Sequence, residues 1–152
     1  MRRRLAALMM VVTGLAAAAP TAVYDEAADA RADIQASLGA ARPAHQPVLV
    51  VFGANWCGDC KVLDLAFKSG RSANLIEQHF KVVKVNVGRF DRNVEIAEGY
   101  GVPLKNGIPA VAVLSDEGKV VYATRAGELA DARKMGDDGI YSFFAQVAAP
   151  AK

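Results

Sequence analysis

Both cysteines of this 152-residue chain fall in one tetrapeptide, Cys57-Gly58-Asp59-Cys60, directly after Trp56. The run before them, Val48-Leu49-Val50-Val51-Phe52-Gly53-Ala54, is apolar and β-branched enough to predict a buried strand. The run after them, Lys61 to Lys68, places apolar residues at helical spacing. A strand that enters a Cys-x-x-Cys and leaves it as a helix is a thiol–disulfide redox arrangement with a physical cause. The first sulfur sits at the helix N-terminus, where unpaired N–H groups and the positive end of the dipole favour thiolate over thiol. Two intervening residues let the second sulfur reach the first within one helical turn.

The spacing weakens other uses of the pair. A bridge closing so small a loop constrains the unfolded chain very little, so it is no scaffold staple. Zinc takes four ligands, usually in two clustered pairs. The two histidines, His45 and His79, match no ligand spacing to the cysteines. His45 is expected to be exposed and idle in a linker, and His79 to complement the dipole at a helix end.

The first residues have the pattern of an export signal rather than of a fold. Arg2, Arg3 and Arg4 precede an apolar stretch, Leu5 to Leu15, and the small residues Ala16 to Ala19. A signal peptide over residues 1–22 is expected, cleaved after Ala18 or Ala22. The alternative is an inner-membrane anchor, although Leu5 to Ala19 is shorter than the roughly 20 residues a membrane helix needs. The full chain has 18 basic and 16 acidic residues, a net charge of +2. Without the three arginines the balance is −1, so the basicity belongs to the signal and nothing points to nucleic acid. The remaining chain of roughly 130 residues is enough for one domain with a single core.

Residues 23–46 are expected to form an N-terminal helix, Tyr24 to Gly39, with acids at its start, followed by a Pro-containing linker. Asp25, Glu26, Asp29 and Asp33 are expected to form a solvated face. Ser72 is a candidate cap for a short helix, Ala73 to His79, with Glu77 reaching back. A strand over Phe80 to Val87, a helix over Val94 to Gly99 and a strand over Ala110 to Leu114 follow. Lys119 to Thr124 is expected to return as a hairpin partner across Ser115-Asp116-Glu117-Gly118. A closing helix opens at Asp137 or Asp138 and buries Ile140, Phe143, Phe144 and Val147. This order predicts an α/β fold: a mixed central sheet with helices on both faces.

With those elements in place, residues 45–148 resemble the thioredoxin family. The run Phe52 to Lys61 resembles the family's active-site segment, and Lys84-Val85-Asn86-Val87 its following strand. Ala97 to Val102 resembles the helix end before the cis-proline loop, Gly107-Ile108-Pro109-Ala110 that loop, and Gly118-Lys119-Val120 the hairpin turn. The resemblance implies a thioredoxin-like three-layer domain over residues 47–149. It implies that Cys57 is the nucleophile and that Cys60 resolves the mixed disulfide. Trp56 would offer an apolar face to partners. Pro109 would be cis, leaving the Ile108 backbone free to pair with an extended substrate, and Gly127 would lie beside the substrate groove. Gly58 and Asp59 would tune the pair.

One position departs from the family. Six residues before the first cysteine thioredoxins commonly carry a buried carboxylate that manages the resolving cysteine's proton; here it is Val51. Asp59 is the nearest substitute in sequence, although an exposed first-turn acid is the simpler expectation. Lys84, which matches a family lysine beside that acid, is expected to be a surface charge.

The function these readings imply is a periplasmic thiol–disulfide oxidoreductase of protein-disulfide reductase type, with no cofactor beyond the Cys57–Cys60 disulfide. Its expected partners are protein thiol and disulfide substrates and a membrane thiol-electron carrier, and it is expected to be a monomer. The alternatives are a binding module or chaperone with little redox turnover, and a copper or other metal chaperone using the two thiolates.

Overall fold

The computed structural model describes residues 22–149. The predicted signal segment therefore lies outside the described residues except for Ala22. The first strand, β1 (Val48–Gly53), is buried at all six positions, as its unbroken apolar run requires. It pairs in parallel with β2 (Lys81–Asn86) and antiparallel with β3 (Ala110–Leu114), which pairs antiparallel with β4 (Val120–Ala123). The sheet order is β2-β1-β3-β4.

Alternation along β1 divides the core into two layers. Val48, Val50 and Phe52 face a cluster with Ile34 and Leu38 of α1 (Ala30–Ala41) and Ile96 and Ala97 of α4 (Val94–Gly99). Leu49 and Val51 face the other, with Leu63 of α2 (Gly58–Lys68), Ile76 of α3 (Gly70–His79), and Ile140 and Phe144 of α5 (Ala132–Ala148). Helices on both faces of a mixed four-stranded sheet are the predicted architecture, and α4 and β3 have the predicted bounds. Among the described residues no helix is long and apolar enough to cross a membrane.

Four local expectations fail. The N-terminal helix starts at Ala30, not at Tyr24, because the Asp29 side chain caps it by accepting from Ala32 N–H. Tyr24 is instead drawn into the core, 1% exposed. Helix α3 starts at Gly70, so Ser72 lies inside it with a buried hydroxyl that has no partner among the described residues, rather than capping it. Helix α5 starts at Ala132 and kinks at Gly136 (φ 67°), a left-handed conformation that glycine adopts without strain. The expected start at Asp137 is the beginning of its second part. His45 is largely exposed but not idle: its Nδ1 lies 2.7 Å from Asp116 in the hairpin turn.

Candidate active site

Strand β1 ends at Gly53, and the chain turns through Ala54, Asn55 and Trp56 to deliver Cys57 to the N-cap of α2. Cys57 has extended backbone angles (φ −82°, ψ 113°), and its sulfur accepts from the Cys60 backbone N–H at 3.1 Å. Cysteine here takes the place of a capping serine or aspartate, so one orphan donor of the helix start already points at the sulfur. Cys57 and Cys60 form a disulfide with their Cα atoms 5.2 Å apart. Both are buried, Cys60 the more deeply.

The loop before β3 closes over the first sulfur. Cys57 Sγ lies 3.6 Å from the Ile108 carbonyl oxygen, and the Ile108–Pro109 peptide is cis. The fold therefore brings Cys57, Cys60, Ile108 and Pro109 together from segments fifty residues apart. Gly127 sits behind that loop, against the Asn106 carbonyl, where Asn106 Nδ2 also donates to Arg125 O at 2.6 Å.

Trp56 is 49% exposed, which excludes an ordinary core role. Its indole N–H donates to Gly88 O at 2.7 Å, and its ring meets Phe90 edge-on with centroids 6.0 Å apart. Phe90, itself 44% exposed, went unpredicted because it lies in a loop with no periodicity. It opens a groove of about 530 Å³ lined by Val94, Pro103, Leu104 and Gly107, which runs toward the Ile108 loop. Exposed aromatics beside such a groove are apt contacts for apolar segments of a partner.

Asp59 corrects the expectation of an exposed first-turn acid. Its side chain is 11% exposed, with Oδ2 3.1 Å from Arg133 Nη2 and Oδ1 accepting from Arg133 N–H at 2.9 Å. Burial alone would raise its carboxyl pKa, but the hydrogen bonds and charge of Arg133 outweigh burial and lower it. The guanidinium also lies over Gly58, 3.5 Å from where a Cβ would stand. Asp59 thus docks the start of α5 and carries a compensated charge.

Lys84 is likewise no free surface charge: it pairs with Asp64, four residues after Cys60 on α2. Asp64 also holds Lys68 at 2.7 Å. Burial would raise the Asp64 carboxyl, and the two lysines override it and lower it. The acid that faces this lysine therefore comes from a helix instead of from position 51. The i, i+4 spacing of Asp64 and Lys68 was legible in the sequence, but the pairing with Lys84, 20 residues on, was not.

Both carboxyls have folded pKa values below their unfolded ones. Their contribution to stability is fully present above the unfolded value of about 3.9 and is lost as pH falls through the folded value. The urea midpoint should therefore drop on acidification below about pH 4. Asp64→Asn, measured alongside, should show a lower midpoint at neutral pH and a flatter acid limb. An equally steep limb in the variant would show that Asp64 carries none of it.

Among the described residues no group of three or more His, Cys, Asp or Glu side chains is placed to hold a metal ion.

Comparison with known proteins agrees with this geometry. A family model described as thioredoxin-like matches residues 29–115. A disulphide isomerase from Xylella fastidiosa Temecula1 has a similar structure, with a TM-score of 0.82 and 50% identity, covering 86% of this chain and all of that one. A thioredoxin from Griffithsia pacifica is 40% identical over 76 residues, which span 50% of this chain and 62% of that protein. The oxidised C-terminal domain of DsbD from Neisseria meningitidis shares the fold at 20% identity and a TM-score of 0.50, covering 71% of this chain and 96% of that one.

Proposed function

The chain belongs to the thioredoxin-like family, and from that premise we propose that it reduces protein disulfides in the periplasm through Cys57 and Cys60. The observation that carries the reading is the seating of Cys57. Its sulfur caps α2, touches the Ile108 carbonyl and is bonded to Cys60 one helical turn away. Such a thiol is activated by the helix start when reduced and has a resolving partner within reach. Trp56, Phe90 and the backbone at Ile108 would receive the substrate chain, with Gly127 supporting the loop. No cofactor is needed beyond the disulfide. A membrane thiol carrier would re-reduce it in a compartment where disulfides otherwise persist.

A second reading has an observation behind it. An uncompensated Asp59 charge would oppose the Cys57 thiolate and so favour the reductant, but Arg133 compensates that charge. A potential in the isomerase range would follow, in keeping with the name of the Xylella protein. A single preparation tests both readings. Protein recovered from a periplasmic extract should begin near Ala19 or Val23 by mass and should accelerate insulin reduction by dithiothreitol. Equilibration with glutathione should then give a potential nearer about −270 mV than −120 mV. A value near about −180 mV favours the isomerase, and one above roughly −170 mV removes the reductase reading. Absence of insulin reduction would favour the binding module, and stoichiometric metal after mild reduction the metal chaperone.

A further inference from the structure

Gly53, the last residue of β1, stands where two distant groups meet. A Cβ at that position would overlap the Tyr24 hydroxyl and come within 2.9 Å of Cys60 Sγ. The phenol oxygen and the resolving sulfur thus face the same empty side-chain position. Only glycine leaves that space open. Tyr24 is held there from both sides of its own peptide group: its N–H donates to Asn55 Oδ1 and its carbonyl accepts from Asn55 Nδ2, each at 2.9 Å. Asn55 immediately precedes Trp56 and Cys57, so the N-terminal segment is registered to the active-site turn itself.

The hydroxyl is equipped to donate. Burial first, and the Asp64 charge second, push the phenol pKa up, so the group stays neutral and keeps its proton. Asp64 does not need that proton, because its two oxygens are taken by Lys68 and Lys84. Asp64, on α2, is the charged group whose field reaches the ring, while Asp25 and Glu26 on its own segment are exposed. Strand β1 itself offers no polar side chain, being Val-Leu-Val-Val-Phe-Gly throughout.

We propose that the Tyr24 hydroxyl donates a hydrogen bond to the Cys60 sulfur as that thiol becomes the attacking thiolate, supplying from the N-terminal segment the polar contact that β1 lacks at Val51. The proposal rests on the oxidoreductase reading above. In the step concerned, Cys60 attacks Cys57 Sγ of a mixed disulfide. The Cys57–Cys60 bond forms, the bond from Cys57 to the substrate sulfur breaks, and the electron pair leaves with that sulfur. The proton lost from Cys60 reaches the departing sulfur through solvent. Tyr24 neither gains nor loses a proton; its hydrogen bond lowers the cost of the Cys60 thiolate. The substrate disulfide is reduced and the cysteine pair oxidised.

Tyr24→Phe keeps the ring and removes the donor. The test is reaction of the reduced full-length protein with a nitrobenzoate disulfide, which releases one chromophoric thiolate when Cys57 attacks and a second when Cys60 resolves. In Tyr24→Phe the first release should stay within about twofold and the second should slow about tenfold at neutral pH, the worth of a hydrogen bond to a charged group. The second release should recover at a pH high enough to ionise Cys60 unaided. In a Cys57→Ser background, Tyr24→Phe should raise the pKa of Cys60, read from its alkylation rate, by about one unit. A ring-fluorinated tyrosine at position 24, a stronger donor of nearly the same size, should shift both readouts the opposite way and serves if Tyr24→Phe fails to fold. Equal slowing of both releases, or unchanged release and an unmoved Cys60 pKa, overturns the proposal. If the wild-type protein shows no second release at all, the oxidoreductase reading fails, and the Cys60 titration still decides whether Tyr24 acts on that sulfur.

Discussion

Cys57→Ser is expected to reduce disulfide exchange to the uncatalysed background, whereas Cys60→Ser is expected to accumulate mixed disulfides with partner proteins. The asymmetry follows from position. Cys57 caps α2 at the mouth of the site, beside the Ile108 carbonyl and the exposed Trp56. Cys60 lies inside the first turn and is almost wholly buried. A substrate sulfur can reach the first and not the second. Serine at 57 removes the nucleophile, since a hydroxyl at its ordinary pKa is not ionised and its neighbours, the Ile108 carbonyl and the Cys60 N–H, are not bases. Serine at 60 leaves attack intact and removes only resolution, so the covalent intermediate persists. Non-reducing gels and mass spectrometry of trapped adducts read the result. Adducts on Cys57→Ser and none on Cys60→Ser would reverse the two roles.

Phe144→Ala is expected to cost about 3–5 kcal/mol of folding stability, the range for truncating a large buried aromatic. Phe144 is fully buried on α5 and meets Phe67 of α2 and Phe143 edge-on, with centroids 5.1 and 5.0 Å apart. Removing it opens a cavity where α5 covers the sheet, and two aromatic contacts go with it. For a chain of this size the loss corresponds to roughly 10–15 °C in Tm. Urea unfolding with an unchanged slope measures it. The cysteines lie at the far end of α2, so the variant should keep its reduction potential while it remains folded. A loss below about 1 kcal/mol would mean that the layer relaxes around the gap.

The parts of this molecule that were legible in the sequence are those decided within a few residues. The β-branched run of β1 admits little besides a buried strand, and a helix opened by Cys-x-x-Cys follows from local spacing. Helix α4 and strand β3 are bounded by their own Gly and Pro residues. What was illegible depends on partners far along the chain. Tyr24 heads an alanine-rich run and reads as helix until Asn55, 31 residues later, binds its backbone. Asp59 reads as a solvated acid until Arg133, 74 residues later, covers it. Val51 is an evident departure, but the oxygen near Cys60 comes from a segment before the family match begins, where no motif marks it.

The β3–β4 hairpin has a register shift between Val113 and Leu114, with a consequence for a protein proposed to receive extended protein substrates. Among the described residues the sheet has two open edges, β2 and β4. Either could template an extended peptide and seed aggregation. Strand β2 carries the exposed Lys81, a charge that discourages edge pairing. Strand β4 has exposed Val120 and Val121 and lacks that protection, but it is four residues long, and the register slips between Val113 and Leu114. A bulge there twists the edge out of line. An extended substrate would thereby be denied a continuous strand to join, and the backbone proposed to receive it is the short stretch at Ile108, beside the sulfur.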